Sequence, residues 1–346
     1  MNARHSRGRG YSLIELMISI VLSLMILAGL VTLFESNNRE RNDIQRANQQ
    51  TQNAQYALEV IGDDLQNSGY LASFNPSALP APTADPDICA SDVASLNAAL
   101  SVPVQGYDDY AGAPTLSCLP SDVKAGTDIL VIRRTSTCAV GDANCNPQTI
   151  GEAYFQASGC DSAGELGSGN VNQYYVLDTD ATKFTLHAND CTTVAALYQY
   201  EVHIYFIATE DKTGDGIPTL KRVDLDIKKG PNNGFTNPIP IAEGIEQLQI
   251  DYGIDSPSPT GSPAAFTPNP YAYNGCAGVS CLPNWQNTVV AQVYVLARNL
   301  TPTPGHADGK TYTLGNFVVN PTGDSYMRHV YQAEYRLNNI AGRNTP

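Results

Sequence analysis

Glu15 is the one charged side chain between Arg9 and Glu35 in a chain of 346 residues. A carboxylate beside hydrocarbon costs a few kcal/mol unless something pairs with it, so its place at the front of an apolar run asks for a cationic partner. Eight cysteines, Cys89, Cys118, Cys138, Cys145, Cys160, Cys191, Cys276 and Cys281, all follow that run, and none forms a CxxC pair. An even set of cysteines behind an export segment supports disulfide bonds in an oxidising compartment, although eight of them allow about 105 connectivities. Close spacing makes Cys138/Cys145 and Cys276/Cys281 the expected bridges. The pairing of the other four stays open.

Asp211, Thr213 and Asp215 in "DKTGDG" resemble the first half of a Ca²⁺ loop, but the loop's twelfth position would be Arg222, a cation where a bidentate carboxylate is needed. An Asp-Gly hairpin turn between two strands accounts for the same residues, so neither a metal nor a cofactor is expected. His5, His187, His203, His306 and His329 are scattered, His203 and His329 within strand-like runs. With no HExxH, GxSxG, P-loop or dinucleotide fingerprint, the residues indicate a non-enzymatic protein. Tyr107, Tyr110, Tyr271 and Tyr273 lie in Pro/Gly/Asp-rich loops, where tyrosines either form a binding surface or cover a sheet edge. The charge balance is 20 basic against 34 acidic residues; removing Arg4, Arg7 and Arg9, which precede the apolar run, leaves 17 against 34. Such a surface repels nucleic acid as a whole, and no nucleic-acid partner is expected.

The elements that must carry these residues begin with a short basic, acid-free stretch, "MNARHSRGRG", followed by 19 uncharged residues from Leu16 to Phe34. At 1.5 Å per residue the uncharged run makes about 28 Å of helix, close to the ~30 Å hydrocarbon core, with the basic end held in the cytoplasm. It exceeds the roughly 7–15-residue core of a secretory signal and leads into more helix instead of a cleavage site, so the segment is retained. From Ile44 the apolar and small residues Ala47, Thr51, Ala54, Leu58, Ile61 and Leu65 follow at gaps of three and four, one helical stripe with the intervening Gln, Asn, Arg and Asp as its solvated back. No proline falls between Tyr11 and Leu71, and Gly69 stands where a C-terminal cap belongs. The spacing predicts one helix from Tyr11 to Ser68, about 87 Å long. Poor in Leu and rich in Ala, its stripe suits packing on the chain's own domain better than a coiled coil.

From Tyr70 to Thr127 the chain reads as an extended connection with one short helix near Ser91 to Leu100. Strand-like runs follow: "DILVIRR" at 128, "QYYVLDT" at 173, "KFTLHA" at 183, "YQYEVHIYFIA" at 198, "TLKRVDLD" at 219, "NTVVAQVYVLARN" at 287 and "RHVYQAEYRLNN" at 328. Their alternation, broken by Gly, Pro and Asn, indicates an antiparallel sheet whose one face the helix covers. The fold class is α+β: a long N-terminal α-helix, apolar in its first half, packed on an antiparallel β-sheet domain with disulfide-bonded loops.

The stretch "GYSLIE" before an apolar helix resembles the class III leader and processing site of type IV prepilins, with Gly10 before the cut and Tyr11, where Phe is commoner, as the new amino terminus. "NAQYALEVIGDDLQNSGY", residues 53 to 70, is similar to the helix end of the PilW family of minor pilins, and "YFIATEDKTGDGIPTLKRVDL" shares a looser likeness. The resemblance implies a pilin-like chain divided into a leader (1–10), a transmembrane and assembly helix (11–35), its amphipathic continuation (36–68) and a β-rich periplasmic or extracellular domain (70–346). It implies cleavage and N-methylation by a prepilin peptidase, then passage from the bacterial inner membrane into a cell-surface pilus. The implied partners are other minor pilins, the major pilin and the inner-membrane assembly machinery, and the implied role is to initiate or cap a type IV pilus that serves twitching motility and adhesion. Glu15, fifth in the mature chain, would pair with the Tyr11 amine of a neighbouring subunit, and a charge costly alone becomes an assembly key. Ser12 and Glu15 also form an S-x-x-E capping box, and both roles stay open. Two alternatives share the helix: a type II secretion pseudopilin of the GspJ kind, and a membrane-tethered envelope binding module in which the helix is only an anchor.

Overall fold

The computed structural model describes residues 12–80 and 82–344, so Gly10, Tyr11 and His5 lie outside the described residues. The chain divides into two compact units, Met1–Gln49 and Gln50–Pro346, and helix α1 (Leu13–Asn67) contributes to both. In the first unit the large apolar side chains from Leu13 to Phe34 are each half or more exposed, and α1 is long and apolar enough to cross a membrane. α1 closes at Gly69, whose φ of +68° is the left-handed geometry of a helix C-terminus and whose N–H donates to Arg133 O at 2.9 Å.

The second unit continues from α1 through α2 (Val93–Ala99), β1 (Val104–Tyr110), β2 (Thr127–Ala139), β3 (Tyr154–Ala157), β4 (Tyr175–Asp178), β5 (Leu197–Ala208), β6 (Thr219–Asp224) and β7 (Ile239–Glu243). β8 (Ile245–Asp255), β9 (Pro263–Thr267), α3 (Leu282–Gln286), β10 (Thr288–Arg298), β11 (Tyr312–Leu314), β12 (Phe317–Val319), β13 (Arg328–Arg336) and α4 (Asn338–Asn344) complete it. A seven-stranded antiparallel sheet runs β1-β2-β5-β3-β4, with β6 on β5 and β7 on β6; the twelve-residue β5 is long enough for β3 and β6 to share one of its edges. A second antiparallel sheet runs β13-β10-β8-β9, and β11-β12 is a separate hairpin.

Alternation along the strands builds two cores, because successive side chains leave opposite faces. Leu130 and Ile132 of β2 and Tyr205 and Ile207 of β5 meet Ala54, Ala57, Leu58, Ile61 and Leu65 of α1, together with Leu248, Ile250, Val293 and Val295 of the second sheet. The intervening Ile129, Val131, Val202, Ile204 and Phe206 face the other way, under Ile88, Leu96 and Leu100 and the Cys89–Cys118 bridge. Each fully buried Leu or Ile contributes about 1.5–3 kcal/mol, so the Ala-rich stripe is supplemented mainly by the sheets that grip it.

Several expectations need correction. Burial on α1 begins only at Gln50, leaving Ile44 and Ala47 exposed, and it includes Gln50 and Asp64 from the supposed solvated back. The helix lies between two sheets, so its buried sector is wider than one stripe. The connection from 70 to 127 contains strand β1 as well as the expected short helix, here α2. "KFTLHA" forms no strand, only a 3₁₀ turn and the His187–Val194 bridge. The eleven-residue β8 was not among the expected strands, although Leu248, Ile250, Tyr252 and Ile254 alternate with Gln and Asp. The cysteines form Cys89–Cys118, Cys138–Cys145, Cys160–Cys191 and Cys276–Cys281, which include both expected bridges.

Candidate functional site

In the first unit the one charged group of the apolar run is held locally. The Ser12 N–H donates to Glu15 Oε2 at 3.0 Å and the Leu16 N–H to Ser12 O at 3.1 Å, so the carboxylate satisfies an otherwise open donor at the positive end of α1. Ser19 Oγ returns to Glu15 O at 2.7 Å, which spends that hydroxyl inside the helix. Glu15 is therefore placed as a cap in the isolated chain. Around it Leu13, Ile14, Leu16 and Met17 expose over half of their surface, an apolar collar that favours any partner able to bury it.

The second unit holds its part of α1 through Asp64, whose role the sequence reading missed. Parity puts Arg134 of β2, Glu201 and His203 of β5, and Arg222 and Asp224 of β6 on the same sheet face as Leu130, Tyr205 and Leu220, the face that receives the helix. There the Asp64 carboxylate accepts from Arg134 Nε at 3.1 Å and from the Tyr205 hydroxyl, and meets His203 Nδ1 at 2.7 Å and Arg222 Nη1 at 3.8 Å. Arg134 Nη1 also pairs with Glu201 at 2.7 Å, and Arg222 Nε with Asp224 at 2.6 Å. Burial alone would raise the Asp64 pKa, but the hydrogen bonds and charges of His203, Tyr205 and Arg134 outweigh it and hold the carboxyl well below the usual range. Burial and the neighbouring Asp64 charge push the Tyr205 hydroxyl far up, which keeps it a donor. The available signal was a histidine at a core-facing position of an alternating strand, because such a group needs a buried partner.

Other side chains singled out in the sequence fall into structural roles. Asp215 accepts N–H groups of Asp211, Lys212 and Ile217 in the β5–β6 turn. Tyr110 donates to Pro114 O at 2.8 Å and its ring lies 5.9 Å from that of Tyr107, while Tyr271 bonds Gln105 and packs edge-on to Trp285. Tyr273 is half-buried beside the Cys276–Cys281 loop. His187 Nδ1 meets Glu165 at 2.7 Å, His329 packs on Tyr331, and His306 lies in the turn after Thr303. These groups are dispersed over the second unit and form no common cluster.

Among solved structures the chain is similar to a type IV-like pilin from Thermus thermophilus, with 11% identity over 84% of this chain and 96% of that one and a TM-score of 0.35. No curated protein matches it. Residues 5–31, which include Glu15 and the start of α1, match the model of the prokaryotic N-terminal methylation motif. Residues 204–339, from β5 to the first turn of α4, match the model described as Type IV Pilus-assembly protein W. Over these two stretches, which together make up less than half of the chain, it is similar to PilW-family type IV pilus-assembly proteins and to the prokaryotic N-terminal methylation motif.

Proposed function

We propose that the chain is a minor pilin that initiates or caps a type IV pilus after cleavage behind Gly10 and N-methylation of Tyr11. The observation that carries this reading is the exposed apolar collar around Glu15 at the start of a membrane-length helix, within the stretch that matches the methylation motif. In the bilayer the helix anchors the subunit with its leader in the cytoplasm and its β-rich unit in the periplasm. In the filament the same apolar surface packs against other pilins, and Glu15 exchanges its cap for the Tyr11 amine of a neighbour. The reading makes the prepilin peptidase, the inner-membrane assembly machinery, other minor pilins and the major pilin its partners.

The test is Glu15→Gln. Glutamine keeps the capping bond to the Ser12 N–H, so a cap alone predicts a nearly silent change. Loss of a partly buried charge pair predicts normal insertion and cleavage but association weaker by on the order of 3 kcal/mol, more than a hundredfold. Crosslinking to partner pilins at equal expression and processing decides between them; unchanged crosslinking would sink the assembly role. A chain that is cleaved yet never leaves the membrane would instead be a tethered module.

A further inference from the structure

Just past its apolar run α1 carries four charges on one face. Glu35, Arg39, Asp43 and Arg46 follow one another at steps of four, four and three residues, with alternating sign. At 3.6 residues per turn they fall within a sector of about 80°, and Glu40 and Arg41 lie outside it. All four belong to the first unit; Glu35, Arg39 and Asp43 are exposed and Arg46 is partly covered. Such spacing commonly stabilises a helix from within. Here only Asp43 and Arg46 meet, with Arg46 Nη1 3.5 Å from Asp43 Oδ1, and among the described residues Glu35 and Arg39 enter no ion pair.

We propose that this face docks a second copy of the chain, parallel and side by side, displaced along the helix axis by about one turn. Parallel orientation follows from the anchor, because the basic leader holds every copy with the same end in the cytoplasm. With no displacement, two such faces set Glu35 against Glu35, Arg39 against Arg39 and Asp43 against Asp43, all like charges. Raising one copy by four residues, about 6 Å, sets its Glu35 against Arg39, its Arg39 against Asp43 and its Asp43 close to Arg46. A second turn restores the conflict, since Glu35 then meets Asp43 and Arg39 comes beside Arg46. Exposed ion pairs are individually weak and screened by salt, so the apolar surface from Leu13 to Phe34 supplies the attraction and the charges select the offset, as flanking charges do in coiled coils. Copies at equal depth in a bilayer therefore repel at this face, and lifting one by a turn converts repulsion into attraction. The inference rests on the assembly role proposed above and adds to it a self-partner and an axial offset.

The experiment expresses two differently tagged full-length copies together in cells that hold the assembly machinery, one with Asn38→Cys and the other with Asn42→Cys, positions that border the charged face. Every native cysteine is bridged, so each added thiol is the one free group in its chain. Oxidation is expected to join position 38 to position 42 on the order of threefold more than 38 to 38 or 42 to 42, the modest bias that exposed pairs allow. Arg39→Glu in the Asn42→Cys copy should lower the mixed product. Adding Glu35→Arg to the Asn38→Cys copy should restore it, which a merely local effect on the helix would not do. Equal yields in the three combinations, a mixed yield indifferent to Arg39→Glu, or no product between two copies overturns the proposal. Any of these results leaves the role of Glu15 standing, because that role is read from crosslinking to other pilins.

Discussion

Removing the Asp64 carboxylate would strand Arg134, Arg222 and His203 against a poorly hydrated sheet face. Asp64→Ala is therefore expected to destabilise the fold by about 3–5 kcal/mol, the usual cost of breaking a buried charge cluster by deleting one member. Denaturant unfolding measures it, and a loss under about 1 kcal/mol would show that water satisfies the cations instead. Because the folded pKa of Asp64 is depressed, its contribution is fully present above about pH 5 and fades as pH falls through the carboxylate range. The acid sensitivity of the parent should accordingly be reduced in Asp64→Asn. Asp63 and Asp64 are adjacent and chemically alike, yet one is exposed and the other buried. Composition and period could not separate them, because the difference arises from strands that lie about 70 and 140 residues further along the chain. The Glu15 cap was legible for the opposite reason: its partner, Ser12, is a sequence neighbour.

At the scale of elements, α1 approaches β13 so closely at Gly62 that an added Cβ would fall 2.2 Å from Cε1 of Tyr335. The ring cannot simply swing aside, since the Tyr335 hydroxyl donates to Leu58 O at 2.7 Å and rests on the same helix. Gly62→Ala, which raises helix propensity, is nevertheless expected to destabilise by about 1–3 kcal/mol through overpacking. Combining it with Tyr335→Ala should recover part of that loss, and strictly additive penalties in the double-mutant cycle would contradict the contact. The apolar half of α1 and strands β2, β5, β6, β10 and β13 follow directly from residue period. β8 was obscured because glutamines occupy its second face; Gln247 and Gln249 are buried there with their amides donating to Gly126 O and, for Gln249, also to Asp109. Such burial depends on tertiary partners and leaves little trace in hydrophobic pattern.

For the whole molecule, the α+β class was legible, whereas the division of its strands between two main sheets was not. Alternation specifies which face of a strand is buried, and it leaves open which distant strand lies beside it. The bridges were partly legible: short separations of 7 and 5 residues marked Cys138–Cys145 and Cys276–Cys281, while Cys89–Cys118 and Cys160–Cys191 span 29 and 31. No free cysteine remains, so alkylation of the folded chain without reductant should add no label by mass spectrometry. Several labelled cysteines would contradict that pairing. Read in chain order, each cysteine is joined to the next one along, and no bridge encloses or crosses another. If the chain beyond the anchoring helix enters an oxidising compartment in sequence order, this is the arrangement that an oxidant acting on cysteines in their order of arrival produces unaided. The bonds can accumulate during synthesis without reshuffling, so the last strands meet a chain whose earlier loops are already closed.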